Sequence, residues 1–241
     1  MITRKRKNPL HNINGIRYEI IDLPKYDEER VIRQFSEILN KKFKVIINYV
    51  PLILFKVLKG RVGELNYEPI NADVVNIIMN SNYVNKNNIV LRFLFHELGH
   101  YLFEFYLSDD TIDDFQDYVK DNTKRVNISQ LIDLIETFSS EELKLKYPLQ
   151  YVLIGSFQFS DEYKYYLKNV KNSEKNVYSL HFLEWLKSTK VKLFDKPASA
   201  YMPDNEEIFC EIFANYMMYD LRLLHSDNYR ILKVLIPELR S

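Results

Sequence analysis

Apolar residues recur at helical spacing over 26–40, where Val31, Ile32, Phe35, Ile38 and Leu39 share one face. The runs 43–50 and 52–58 are rich in β-branched and aromatic residues and are parted by Pro51. Segments 64–68 and 73–79 have the same character, so all four predict strands. Asn87 and Asn88 then offer an N-cap to a very apolar helix starting near Ile89. Beyond it, the segments near 111–121, 127–146, 160–170, 176–188, 205–224 and 227–236 read as helices. Strands first and helices after is the order of an α+β protein, with a small mixed β-sheet in the N-terminal half and a largely helical C-terminal half. No fixed period repeats and no Pro- or Gly-rich linker divides the chain. The pattern predicts a flexible basic tail over 1–10 and a single domain over 11–241.

Composition narrows the function classes. The 241 residues include 18 Tyr and 15 Phe, and 46% of them are hydrophobic, which excludes disorder for most of the length. Lys and Arg number 33, and so do Asp and Glu. Zero net charge argues against a surface built to displace counterions from nucleic acid or an anionic membrane. The run Arg4-Lys5-Arg6-Lys7 is read as a solvated, mobile terminus, because no aromatic residue interleaves it. Cys210 is the single cysteine, so an intramolecular disulfide and a Cys-rich zinc scaffold are both excluded, and any metal must be held by His and carboxylate. No apolar stretch follows the basic start, as a secretory signal would require. The apolar segment 89–107 is interrupted by Arg92, His96, Glu97, His100 and Glu104, which rejects a membrane span. A cytoplasmic location is the default expectation. Export by a route without a cleaved signal, or delivery as a toxin, stays open beside it.

The apolar helix carries His96-Glu97-Leu98-Gly99-His100. Residues four apart in a helix lie on one face about a turn apart, so both imidazoles can point at one metal ion. Glu97, one step around, reaches water held by that metal. A zinc ion lowers the pKa of such water towards 7, and Glu97 can then take its proton as general base during attack on a polarised carbonyl. A chance HExxH in a chain this long is on the order of a one-in-a-hundred event. The setting lowers the odds further, because Phe93, Leu94, Phe95, Leu98, Tyr101, Leu102, Phe103 and Phe105 predict a helix buried nearly all round. Two imidazoles and a carboxylate in such surroundings cost several kcal/mol unless something satisfies them.

Catalytic zinc usually has three protein ligands and one open position. The metzincin continuation HExxHxxGxxH is excluded, since Phe103 and Tyr106 stand where Gly and His should be. His181 sits on an amphipathic segment as a partly buried core histidine, His225 lies at a helix end and His11 belongs to the tail. A carboxylate is better supported. In Asn205-Glu206-Glu207-Ile208-Phe209-Cys210-Glu211-Ile212-Phe213, Glu207 and Glu211 are i and i+4 and share a face. Such a pair repels on an isolated helix. Facing a cation it is stabilised, with Glu207 on the metal and Glu211 accepting the outer N–H of a ligating histidine. Glu211 or Glu206 as the ligand are the alternative registers. A solvated acidic face behind an Asp204–Glu207 capping box is the alternative without a metal.

HELGH followed by a helix reading ExxxE resembles the gluzincin zinc metallopeptidases, and within them the anthrax lethal factor catalytic domain and the Pro-Pro endopeptidases. That group's third-ligand helix reads roughly N-E-x-E-[FY]-F-A-E-A-F, beside Asn205 to Phe213 here, with Cys210 where alanine is usual. The resemblance implies a zincin-like fold, zinc held by His96, His100 and Glu207, catalysis by Glu97, and Glu211 behind a histidine. It also implies a tyrosine before the ligand glutamate that donates to the tetrahedral intermediate. Tyr201, six residues before Glu207, is the candidate, with a structural tyrosine as its alternative. The stretch 108–200 between the ligands then reads as a helical insertion, a lid or substrate wall. The same residues also resemble the ImmA/IrrE-like regulatory peptidases of mobile elements, with HELGH and a later E-x-x-A-N-x-F-A helix.

The expected function is a zinc-dependent endopeptidase acting on a protein or peptide substrate. Asp73 to Met79 is nominated as the sheet edge that pairs with an extended substrate. The rival from another class is a zinc-stabilised binding module that does not turn over.

Overall fold

The computed structural model describes residues 9–21, 27–43, 50–59, 62–68, 71–84, 86–123, 126–169, 176–189, 205–219, 231–232 and 234–236. The expected strand 43–50 falls mostly outside them, and so does half of the expected helix 227–236. Packing divides the chain into two units, 1–107 with 213–219 and 236–241, and 108–212 with 220–235.

The first unit opens with a hairpin of β1 (Leu10–Ile13) and β2 (Ile16–Ile20), paired antiparallel with Ile13 opposite Ile16. Its turn is Asn14-Gly15 with φ of 51° and 91°, the left-handed pair that a two-residue hairpin needs to match strand twist. This hairpin was not among the expected elements, although Asn-Gly between short apolar runs is its signature. It places His11 in β1, stacked on Tyr18 with ring centroids 5.0 Å apart, and not in a tail. Helix α1 (Glu28–Lys42) follows, with Asp27 accepting from the Arg30 N–H as its N-cap. Then come β3 (Leu52–Lys56), β4 (Gly63–Glu68) and β5 (Asn71–Asn80).

The five strands form one mixed sheet in the order β1-β2-β3-β5-β4. β3 lies parallel to both β2 and β5, and β4 closes one side antiparallel to β5. The segment nominated as the sheet edge is therefore an interior strand, since β5 is paired on both sides. Among the described residues the edges are β1 and β4, and β4 is the one beside β5. Near-continuous Val and Ile at 74–78 fit this interior place better than an edge. Gly63 permits the close β4–β5 approach, because a Cβ there would stand 2.8 Å from the Ile78 carbonyl oxygen.

Helix α2 (Asn87–Phe105) follows the sheet and packs on β4 and β5. It starts at Asn87 with Lys86 in the cap position and no side-chain cap bond, so the expected asparagine N-cap does not form. Asn80 instead accepts from the Asn82 N–H and caps the 3-10 turn Ser81–Tyr83 just upstream. Leu94, Phe95, Leu98 and Leu102 are fully buried, whereas Ile89 and Phe105 near the two ends are exposed. Phe95 packs on Phe35 of α1 with ring centroids 4.7 Å apart.

The second unit is helical: α3 (Asp109–Thr123), α4 (Ile128–Thr137), α5 (Ser140–Lys146), α6 (Pro148–Ser156), α7 (Asp161–Asn169) and α8 (Leu180–Ser188). The expected helix 127–146 is two helices. Ser139 and Glu142 form a capping box that starts α5 and so ends α4 before it. Helix α6 was not expected, because its nearly unbroken apolar run has no clear period. Pro148 in its first turn, where no N–H is needed, was the available signal. Leu131, Leu153, Ile154, Phe157, Tyr166 and Phe182 build this unit's core. Helix α9 (Asn205–Met218) is shared by the two units, 205–212 falling in the second and 213–218 in the first. No described helix is long and apolar enough to cross a membrane.

Candidate metal centre

His96 and His100 lie one turn apart on α2, and their rings meet edge to face with centroids 4.9 Å apart at 79°. Glu207 stands in the first turn of α9. One ligand atom each of His96, His100 and Glu207 all lie within 4.8 Å of one another, and all three residues are half-buried. Two neutral imidazoles and a carboxylate are the donor set of a three-ligand zinc site, and partial exposure suits an open fourth position. The residues therefore fit a metal ion, and zinc in particular. Glu206 is half-buried in the same turn but outside this cluster.

Glu97 is buried, with 6% of its surface exposed, beside the two histidines in the chain. Glu211, one turn beyond Glu207, is buried too. Its Oε1 is 3.3 Å from Lys144 Nζ of α5. Tyr201, Asp204 and His225 lie outside the described residues. His181 is exposed, not partly buried, and its Nδ1 is 3.4 Å from the Tyr166 hydroxyl.

Two further residues escaped the sequence reading. Arg92 Nη2 donates to Asn215 Oδ1 at 3.3 Å, and Asn215 is almost fully buried. Arg92, His96 and His100 run at steps of four along α2, and Glu207, Glu211 and Asn215 run at steps of four along α9. Each stripe is one helix face. The signal was the extension of both motifs by one more turn. At the far end of α9, which has no basic residue in its own last turn, Lys42 of α1 donates to the carbonyls of Tyr216 and Tyr219, the latter at 2.8 Å.

Sheet, apolar helix and a downstream helix thus deliver a His-Glu-x-x-His pair and a distant glutamate to one cluster. That is the HExxH…E architecture of the gluzincins, with a zinc-binding triad of the kind metallopeptidase active sites use. No known protein family, no curated protein and no solved structure matches the chain.

Proposed function

We propose that the protein is a zinc-dependent endopeptidase whose metal is held by His96, His100 and Glu207. The observation that carries this reading is the convergence of those three ligand atoms within 4.8 Å. Zinc, when bound, supplies Lewis acidity that acidifies water and polarises a peptide carbonyl. Glu97 accepts the proton that the attacking water gives up and returns it to the departing amine, so that one water is consumed per bond cut. Tyr201 is assigned as a donor to the oxyanion. Glu211 is assigned the outer side of a ligating histidine, with its other oxygen on Lys144.

The substrate of this reading is an extended protein or peptide. Its backbone would add to the outer side of β4, the sheet edge beside α2, in place of the interior strand nominated from the sequence. Residues 11–241 are taken as one metallopeptidase domain with 108–200 inserted between the ligands. A Glu97→Gln variant tests the assignment, since it removes the base but no ligand. It should retain one zinc per chain and lose at least ~100-fold in cleavage of a peptide library. Cleavage at the wild-type rate would refute the reading.

A further inference from the structure

Glu207 and Glu211 put two carboxylates one turn, roughly 5.4 Å, apart on one face of α9. On an isolated helix that pair is repulsive. Glu211 is the deeper problem, because its side chain is only 7% exposed and a buried carboxylate demands a partner. Lys144 supplies one from α5, itself 21% exposed and 3.3 Å from Oε1.

The lysine sits in a built cradle. Its ammonium lies 5.1 Å from the centre of the Tyr151 ring, and Tyr151 stacks on Tyr178 at 4.6 Å and 16°. The Tyr178 hydroxyl donates to the Tyr151 carbonyl at 3.2 Å. Burial and the nearby Tyr151 and Glu211 raise the Tyr178 pKa, so that the phenol stays a neutral donor. Gly155 leaves the space for it, since a Cβ there would come within 2.6 Å of that hydroxyl oxygen. The Ser139–Glu142 capping box fixes where α5 begins, and hence where Lys144 falls.

We propose that Lys144 is a positioning residue: a fixed countercharge that holds Glu211, and with it the ligand-bearing turn of α9, in place before a metal arrives. The proposal rests on the zinc reading above. Its cost is electrostatic, because the same charge is held on Glu211, one helical turn from the proposed ligand Glu207, and repels an incoming dication. Lys144 therefore trades zinc affinity for a site that is folded without zinc.

The test compares the full chain with Lys144→Met, Lys144→Arg, Glu211→Gln and the Lys144→Met/Glu211→Gln double variant. Thermal unfolding is followed with and without zinc, and zinc affinity is measured by competition with a chromophoric chelator. Lys144→Met should lower the melting temperature of the zinc-free protein, enlarge the rise that zinc produces, and bind zinc roughly tenfold more tightly. Lys144→Arg should behave as wild type. In the Glu211→Gln background, Lys144→Met should no longer lower the zinc-free melting temperature. Equal losses with and without zinc would mark Lys144 as merely structural and overturn the proposal, as would weaker zinc binding. If Lys144→Met does not fold, the double variant, which buries neither charge, must fold, and its failure also overturns the proposal. A wild-type chain whose melting temperature ignores zinc would bring down the zinc reading and this proposal with it, whereas a zinc response indifferent to Lys144 removes the proposal alone.

Discussion

Replacing Lys42 by Met separates the charge of this lysine from its apolar stem, which Met largely retains. Lys42 ends α1 and donates to the carbonyls of Tyr216 and Tyr219, with its ammonium 5.3 Å from the Tyr216 ring centre. These carbonyls belong to the last turn of α9 and the residue just after it, where the helix has run out of its own N–H donors and its dipole is negative. Hydrogen bonds from a charged donor contribute about 1.5–3 kcal/mol each. Two at the lower bound give about 3 kcal/mol, and the rotamer freedom that a half-buried lysine regains offsets about 1 kcal/mol of it. The expected loss is about 2 kcal/mol, which for a chain of this size lowers the melting temperature by roughly 4–8 °C. Urea unfolding followed by circular dichroism reads it as a lower midpoint at unchanged slope. A loss below about 0.5 kcal/mol would refute the reasoning, because it would mean that water caps α9 as well as the lysine does.

Gly63→Ala should destabilise the protein by about 1–3 kcal/mol, since the new methyl would press on the Ile78 carbonyl oxygen at 2.8 Å and the Met79 sulfur at 2.9 Å; a denaturation midpoint equal to wild type would contradict that close strand approach. Glu28 has a buried carboxyl whose Oε1 has no hydrogen-bond partner, and burial raises its pKa above 4.5. A raised carboxyl pKa favours the folded state below the ordinary value, and that stability is lost as pH rises through the folded-state pKa. Glu28→Gln should therefore be more stable than wild type at pH near 7, with the gap closing as pH falls to about 4; a variant that is less stable at neutral pH would reverse the argument.

How much of this was legible beforehand differs from element to element. HExxH was plain because two ligands and the base share one helix, and helix geometry is local: a spacing of four guarantees a common face. Strands β3, β4 and β5 and the helices α1, α3, α7 and α8 were likewise visible to within a few residues, because each carries its own apolar period. The split between α4 and α5 was missed because a short capping box at Ser139 and Glu142 outweighed a continuous helical period. The interior place of β5 was missed for a different reason. Periodicity tells a strand from a helix but says nothing of which strand lies next to it.

The sequence by itself determined the chemistry on offer: one cysteine, five histidines, two of them four apart in an apolar helix, and acids four apart in another. Those facts limit the metal donors to imidazole and carboxylate and align each set on its own helix face. The sequence favoured Glu207 but left Glu206 and Glu211 as alternative registers, and only the packing of α9 decides which acid meets the histidines. Packing brings Glu207 into the cluster and places Glu211 beside Lys144, 67 positions away in the chain. Long-range partners of this kind leave no local signature, since an ion pair depends on where two backbones cross and not on the spacing within either.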